Sequence, residues 1–196
     1  MNAVANLMAM SSVLEPAIHR WTRAEYDGLV EAGAFDHSRV ELLDGQIIDM
    51  APTSNVHVRC VARLTKLLVL ALQHGEFVVT IQSPFALNDF SQPEPDVVVL
   101  RSRPDLWLDG HAGTDDVALA IEVSLSSWAY DSGPKLTAYA RAGLREVWLV
   151  DLRENMVHVC REPVDGIYTN RHTARAGDVL DVAGTRVMVA VADFLG

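Results

Sequence analysis

The residues best suited to chemistry are acids set inside apolar strands. Glu122 lies within Val117-Ala118-Leu119-Ala120-Ile121-Glu122-Val123. At a period of two, Val117, Leu119, Ile121 and Val123 line one face and Ala118, Ala120 and Glu122 the other. The small neighbours predict open space beside the carboxylate. An unpaired carboxylate in apolar surroundings is very costly to ionise, so Glu122 must be neutral, paired or metal-bound. Asp96 heads a second apolar run, Asp96-Val97-Val98-Val99-Leu100, behind the stiff segment Pro93-Glu94-Pro95. If the two runs are neighbouring strands, the acids converge at one end of a sheet. Close carboxylates repel each other, and a divalent cation relieves that repulsion while using their oxygens as hard ligands. Such an ion can polarise a phosphoryl oxygen and make hydroxide available near neutral pH. A nearby ammonium would stabilise the charged transition state. Lys135 is the candidate: the chain has two lysines, Lys66 and Lys135, against 14 arginines, so a lysine here favours a role that needs a compact ammonium.

The elements that must position these groups are legible as follows. Thr22-x-x-Glu25 is a capping box opening a helix over 22–32, ending near Gly33. Asp44-Gly45 between two β-prone runs predicts a hairpin over 39–50. Thr53, Ser54 and Asn55 are candidate N-caps of a long helix, roughly 55–74. Cys60, Leu64, Leu67, Leu68 and Ala71 lie on one face of it, and Gly75 is a stop. Strands are expected at 76–82, 96–100, 117–123, 146–151 and 156–161, with a short extended piece at 84–88 and a loop at 102–115. A helix over 132–142 carries Pro134 in its first turn and ends at Gly143. Lys135 then flanks the stripe Leu136, Tyr139 and Ala140 that faces the sheet. Residues 167–196 read as short strands separated by Gly177 and Gly184. This alternation predicts an α/β or α+β domain with a mixed central sheet.

Composition narrows the function classes. Apolar residues make 49% of the chain and charged residues 21%, which excludes disorder as the main state. The longest apolar runs, such as 67–72, are about six residues, too short to span a bilayer. Cys60 and Cys160 suit a reducing cytosol as small buried side chains. Residues 1–15 carry no basic start of the kind a secretory signal needs, so residues 1–18 are expected to be a tail or contact arm before a single domain over 19–196, and the chain to remain cytoplasmic. The net charge of −10 argues against broad nucleic-acid binding, without excluding a local basic patch or a metal-mediated site.

Pro95-Asp96, the later Glu122 and a lysine resemble the PD-(D/E)XK nuclease superfamily. The wider string is more specific. It runs from RVELLDGQI (39–47) through Pro52 and His57, PEPDVVVL (93–100), AIEVSLSS (120–127) and Asp131-x-x-x-Lys135-x-x-x-Tyr139 to AGLREVWLVD (142–151). It is similar to the Uma-two family of restriction-endonuclease-type proteins over about residues 20–195. The resemblance implies a restriction-endonuclease-like core, a mixed sheet flanked by helices. It implies metal-binding roles for Asp96 and Glu122, with the Val123 carbonyl as a further ligand of Mg²⁺ (or Mn²⁺), and a site role for Glu41 before the hairpin turn. In the superfamily the lysine stands two residues after the glutamate. Here that position is Ser124, and the resemblance implies that Lys135 on the following helix has taken its place. The implied activity is endonucleolytic hydrolysis of DNA, in a homodimer whose two sites could cut both strands.

Each residue has a plainer alternative. Asp96 could accept loop N–H bonds at a strand start, and Glu122 could pair with Arg141 or Arg145. Lys135 could be an i,i+4 partner of Asp131 on a solvated face. Glu41 could face solvent. His57 could cap the long helix or border the cleft, and Gln82 could orient water or end a strand. Arg59, Arg63 and Lys66 recur at helical spacing and could track phosphates or form a solvated face. Ser124, Ser126 and Ser127 lack a nucleophile elbow. The Cys and His residues show no zinc spacing, and no P-loop or dinucleotide fingerprint is present. Two rival functions are a non-catalytic dimeric interaction protein that keeps the fold and a metal-dependent hydrolase of a small phosphorylated substrate.

Overall fold

The computed structural model describes residues 17–72, 75–107, 110–182 and 184–195; the expected tail falls largely outside them. Helix α1 (Arg23–Glu31) opens with the predicted capping box, Thr22 and Glu25 each bonding the other's backbone. Strands β1 (Val40–Leu43) and β2 (Gln46–Asp49) form the predicted hairpin. Asp44 and Gly45, at φ 49° and 77°, make a turn that only left-handed backbone permits. Helix α2 (Asn55–Ala71) is capped by Ser54, whose hydroxyl accepts from the His57 amide. Its buried side is Cys60, Val61, Leu64 and Leu68.

A six-stranded sheet follows, in the order β3-β4-β5-β6-β7-β8. Its strands are β3 (Phe77–Ile81), β4 (Val97–Arg101), β5 (Val117–Ser124), β6 (Glu146–Asp151), β7 (Met156–Val164) and β8 (Ile167–Ala174). Only β5 and β6 pair in parallel, so the sheet is mixed, as expected. The parallel pair requires a crossover, which runs through α3 (Trp128–Tyr130), a wide turn at Asp131–Lys135 and α4 (Leu136–Arg141). One face of the sheet packs on α2 and the C-terminal elements β9 (Val179–Asp181), β10 (Met188–Ala190) and α5 (Ala192–Leu195). The other packs on α4 and the residues Leu43, Phe85 and Leu87. Strands β4, β5 and β6 are thus covered on both sides, which is why they read as continuous apolar runs. Cys60 and Cys160 are free and buried.

Three expectations need correction. The crossover helix begins at Trp128, not 132, and Pro134 sits inside it. A proline within an α-helix collides with the carbonyl four residues back and offers no N–H. The chain relieves this by widening to a π-turn, in which the Leu136 N–H reaches the Asp131 carbonyl. Strict alternation along β5 also fails at its start. The register slips between Val99 and Leu100, which pair with Leu119 and Val117, so Ala118 packs with the α2 side and Val117 with the α4 side. Finally, residues 167–174 form one eight-residue strand, and the chain's last element is α5, where only short strands were expected.

Candidate active site

The site gathers at the end of the sheet where β4 begins and β5 finishes. Val97 pairs with Ile121, so continuing the ladder sets Asp96 opposite Glu122. Asp96 is fixed from three directions. Its Oδ2 accepts from the Val123 amide at 2.9 Å and lies 3.0 Å from His57 Nε2, while Gln82 Nε2 lies 3.4 Å from Oδ1. Gln82 adopts the left-handed region at φ 47°, just past β3, and its amide donates to the Asp96 carbonyl. Burial alone would raise the Asp96 carboxyl. The His57 bond and charge, the Val123 amide and the Lys135 field outweigh it and hold the carboxyl below its usual range. His57 Nδ1 is buried and has no hydrogen-bond partner among the described residues.

Lys135 is buried between two carboxylates, 2.9 Å from Glu41 Oε2 and 3.0 Å from Glu122 Oε1. Tyr139, one helical turn on, donates to Glu122 Oε1 at 2.6 Å and stacks on Phe85. Tyr130 donates to Glu41 Oε1 at 2.8 Å, and the Glu94 amide donates to Glu41 Oε2. That last bond, with the Gln92 amide on the Leu42 carbonyl, stitches the hairpin to the Pro93-Glu94-Pro95 segment and carries Glu41 to the sheet end. Asp131 accepts from Ser124 and Ser127, both at 2.6 Å, which ties β5 to the start of the crossover.

The electrostatics follow from counting charges. Burial disfavours the Lys135 cation, but Glu122, Glu41 and Asp131 together outweigh it and push its pKa well above normal. One ammonium cannot balance all the acids around it. Burial, opposed by Lys135 and reinforced by Asp131, Asp96 and Glu41, lifts Glu122 well above the carboxylate range. Tyr130, Tyr139 and Asp131 are raised, chiefly by burial. Acids thus outnumber cations in the cluster, and a further cation would favour their ionised forms.

A cavity of about 330 Å³ opens onto this cluster, its wall including Glu41, His57, Gln82, Asp96, Val123 and Lys135. Every sequence-selected site residue lines this cavity except three. Glu122 is not on the wall; it is buried and meets the wall through Lys135. Arg59 is exposed and Arg63 half-buried on α2, and neither lines the cavity. Several plainer alternatives do not hold. Glu41 is 1% exposed and not solvent-facing. Glu122 is paired, but by Lys135; Arg141 instead lies 3.7 Å from Asp44. Capping of α2 belongs to Ser54, which frees the His57 ring for Asp96. Sequence reasoning gave no site role to Tyr139, Tyr130, Asp131 or Arg39. The i,i+4 spacing from Lys135 to Tyr139 was the available signal. Tyr130 had none, because residues five apart share a face only across a π-turn.

The fold is a mixed α/β one of the restriction-endonuclease-like class. Residues 24–190 match the family model Uma2 (Uma-two), described as "Putative restriction endonuclease", and the chain belongs to that family. Among solved structures, the chain is similar to one titled as a "putative nuclease belonging to DUF820" from Anabaena variabilis ATCC 29413. The TM-score is 0.68 at 15% identity, covering 89% of this chain and 97% of the other. At that identity the likeness is one of fold. No curated protein matches the chain.

The donors fit a hard divalent cation in kind: two carboxyl groups, Asp96 and Glu122, and the Val123 carbonyl, in surroundings where acids outnumber cations. They are not preassembled as a cage. Among the described residues no three His, Cys, Asp or Glu side chains are set ready to hold an ion. Lys135 pairs with Glu41 and Glu122, and His57 Nε2 lies 3.0 Å from Asp96 Oδ2.

Proposed function

We propose that the protein is a metal-dependent endonuclease hydrolysing DNA phosphodiester bonds at the Asp96–Glu122–Lys135 cluster. The observation that carries this reading is the meeting of these three residues, distant in sequence, beside one open cavity. Asp96, Glu122 and the Val123 carbonyl would hold Mg²⁺ (or Mn²⁺), with Glu41 completing the acidic shell. The ion would supply Lewis acidity toward a phosphoryl oxygen and toward water. His57 and the Val123 amide orient Asp96; Tyr139 orients Glu122. Lys135, kept cationic by its acidic neighbours, stabilises the charge that builds on the phosphoryl group as water attacks phosphorus and the P–O bond breaks. Gln82, on the cavity wall, would orient that water. We place the domain at residues 19–196 in the cytoplasm as a homodimer that cuts both strands. No described helix is long and apolar enough to cross a membrane.

A supercoiled-plasmid assay with Mg²⁺ or Mn²⁺ tests this. Wild type should nick and linearise, and Asp96→Ala and Glu122→Ala should not, while both variants stay folded. Retained cleavage in either variant removes the mechanism. The net charge of −10 favours a second reading, a non-catalytic dimeric interaction protein that keeps the fold. It predicts no heat on calorimetric titration of Mg²⁺ or Mn²⁺ and no cleavage.

A further inference from the structure

The basic side chains on the cavity wall differ in how firmly they are held. Lys135 is held by Glu41 and Glu122, and His57 by Asp96. Arg39 also lines the cavity, and it is exposed. It takes part in no ion pair among the described residues, although its charge reaches Glu94, where it opposes the upward effect of burial. Arg39 directly precedes β1, and the Met50 amide donates to its carbonyl at 2.9 Å, so the hairpin ladder extends to it. Period two then puts Arg39 on the same face as Glu41, about 6.5 Å further along the strand.

A polyanionic strand approaching this cavity meets a problem. The chain has a net charge of −10, and Glu41, Asp49, Asp96 and Asp131 all stand on the wall. Phosphate capture needs a local cation not already neutralised. A guanidinium suits this best, since its fork matches two phosphate oxygens. We infer that Arg39 is the phosphate-binding residue at the mouth of the cavity, holding a backbone phosphate of the DNA strand beside the one that enters. This rests on the nuclease reading.

The test is binding without turnover. Fluorescence anisotropy of a labelled DNA duplex would be followed in Ca²⁺ at several KCl concentrations, with a gel checking that the duplex stays intact. Arg39→Ala should weaken binding roughly tenfold at low salt and make the slope of log K against log salt shallower by about 1. Arg39→Lys should keep the slope and regain part of the affinity. Arg171→Ala, the same charge change on the exposed β8, should match wild type. If wild type binds and Arg39→Ala matches it in affinity and slope, this inference is wrong and the nuclease reading stands. An equal loss in Arg171→Ala would also overturn it, by showing a diffuse charge effect. If wild type binds no DNA at low salt, both fall together.

Discussion

Glu122 and Glu146 stand on the adjacent parallel strands β5 and β6, each almost fully buried in an apolar run. Their surroundings differ in kind. Glu146, at the start of β6, accepts from Arg161 at 2.8 Å and from the Trp148 indole at 2.7 Å. Arg161 also reaches Asp181, tying β7 to β9. Glu146 is thus paired with a guanidinium and lies away from the cavity. Glu122, near the end of β5, shares one ammonium with Glu41, and other acids crowd it beside an open cavity. A buried carboxylate is therefore no mark of a site in itself. What distinguishes Glu122 is a surplus of acids over cations next to accessible space.

The contrast can be broken most forcefully at Lys135. Lys135→Met leaves Glu41 and Glu122 facing each other without a cation, and should cost about 3–5 kcal/mol of stability in urea denaturation. Exchanging the acids comes next. Glu146→Gln should cost about 2 kcal/mol by the same measurement, because Arg161 loses its charged acceptor, and should leave plasmid cleavage intact. Glu122→Gln should do the reverse: apo stability unchanged or higher, cleavage lost. If Glu146→Gln abolished cleavage while Glu122→Gln spared it, the assignment of the two acids would be inverted. Tyr139→Phe removes one buried hydrogen bond to Glu122 and should cost about 1 kcal/mol, with slower cleavage at unchanged DNA affinity.

A pH series sharpens the same comparison. The Glu122 pKa is raised in the folded protein, so folding favours its protonated form. That stabilisation is full below the ordinary value of 4.5 and is lost as pH rises through the folded value. Thermal melts of apo wild type should therefore lose stability upward from about pH 4.5, and Glu122→Gln should flatten the profile. The smallest expected effect is at Arg141, whose pairing with Asp44 is exposed at 3.7 Å. Arg141→Ala should change stability by less than about 0.5 kcal/mol. A larger loss would restore Arg141 as a partner for a buried acid.

Local signals carried far in this chain. The Thr22–Glu25 box, the Asp44-Gly45 turn and the apolar runs of β4, β5 and β6 were readable because capping, left-handed turns and two-sided burial each leave a short-range pattern. The same runs exposed Asp96 and Glu122 as acids out of place, and the scarcity of lysine singled out Lys135. Contacts set by register and packing were not readable. The slip at Val99–Leu100 swaps the faces of Val117 and Ala118. The π-turn around Pro134 brings Tyr130 and Lys135 onto Glu41 together, although they stand five residues apart. The sequence alone determined which groups could do chemistry and which strands would carry them. The tertiary structure decided which acid shares the ammonium, which arginine serves the fold at Glu146 and which stands at the cavity. The reason is physical: a residue's type and neighbours set its intrinsic cost of burial, but its partner is chosen by groups that arrive from other elements.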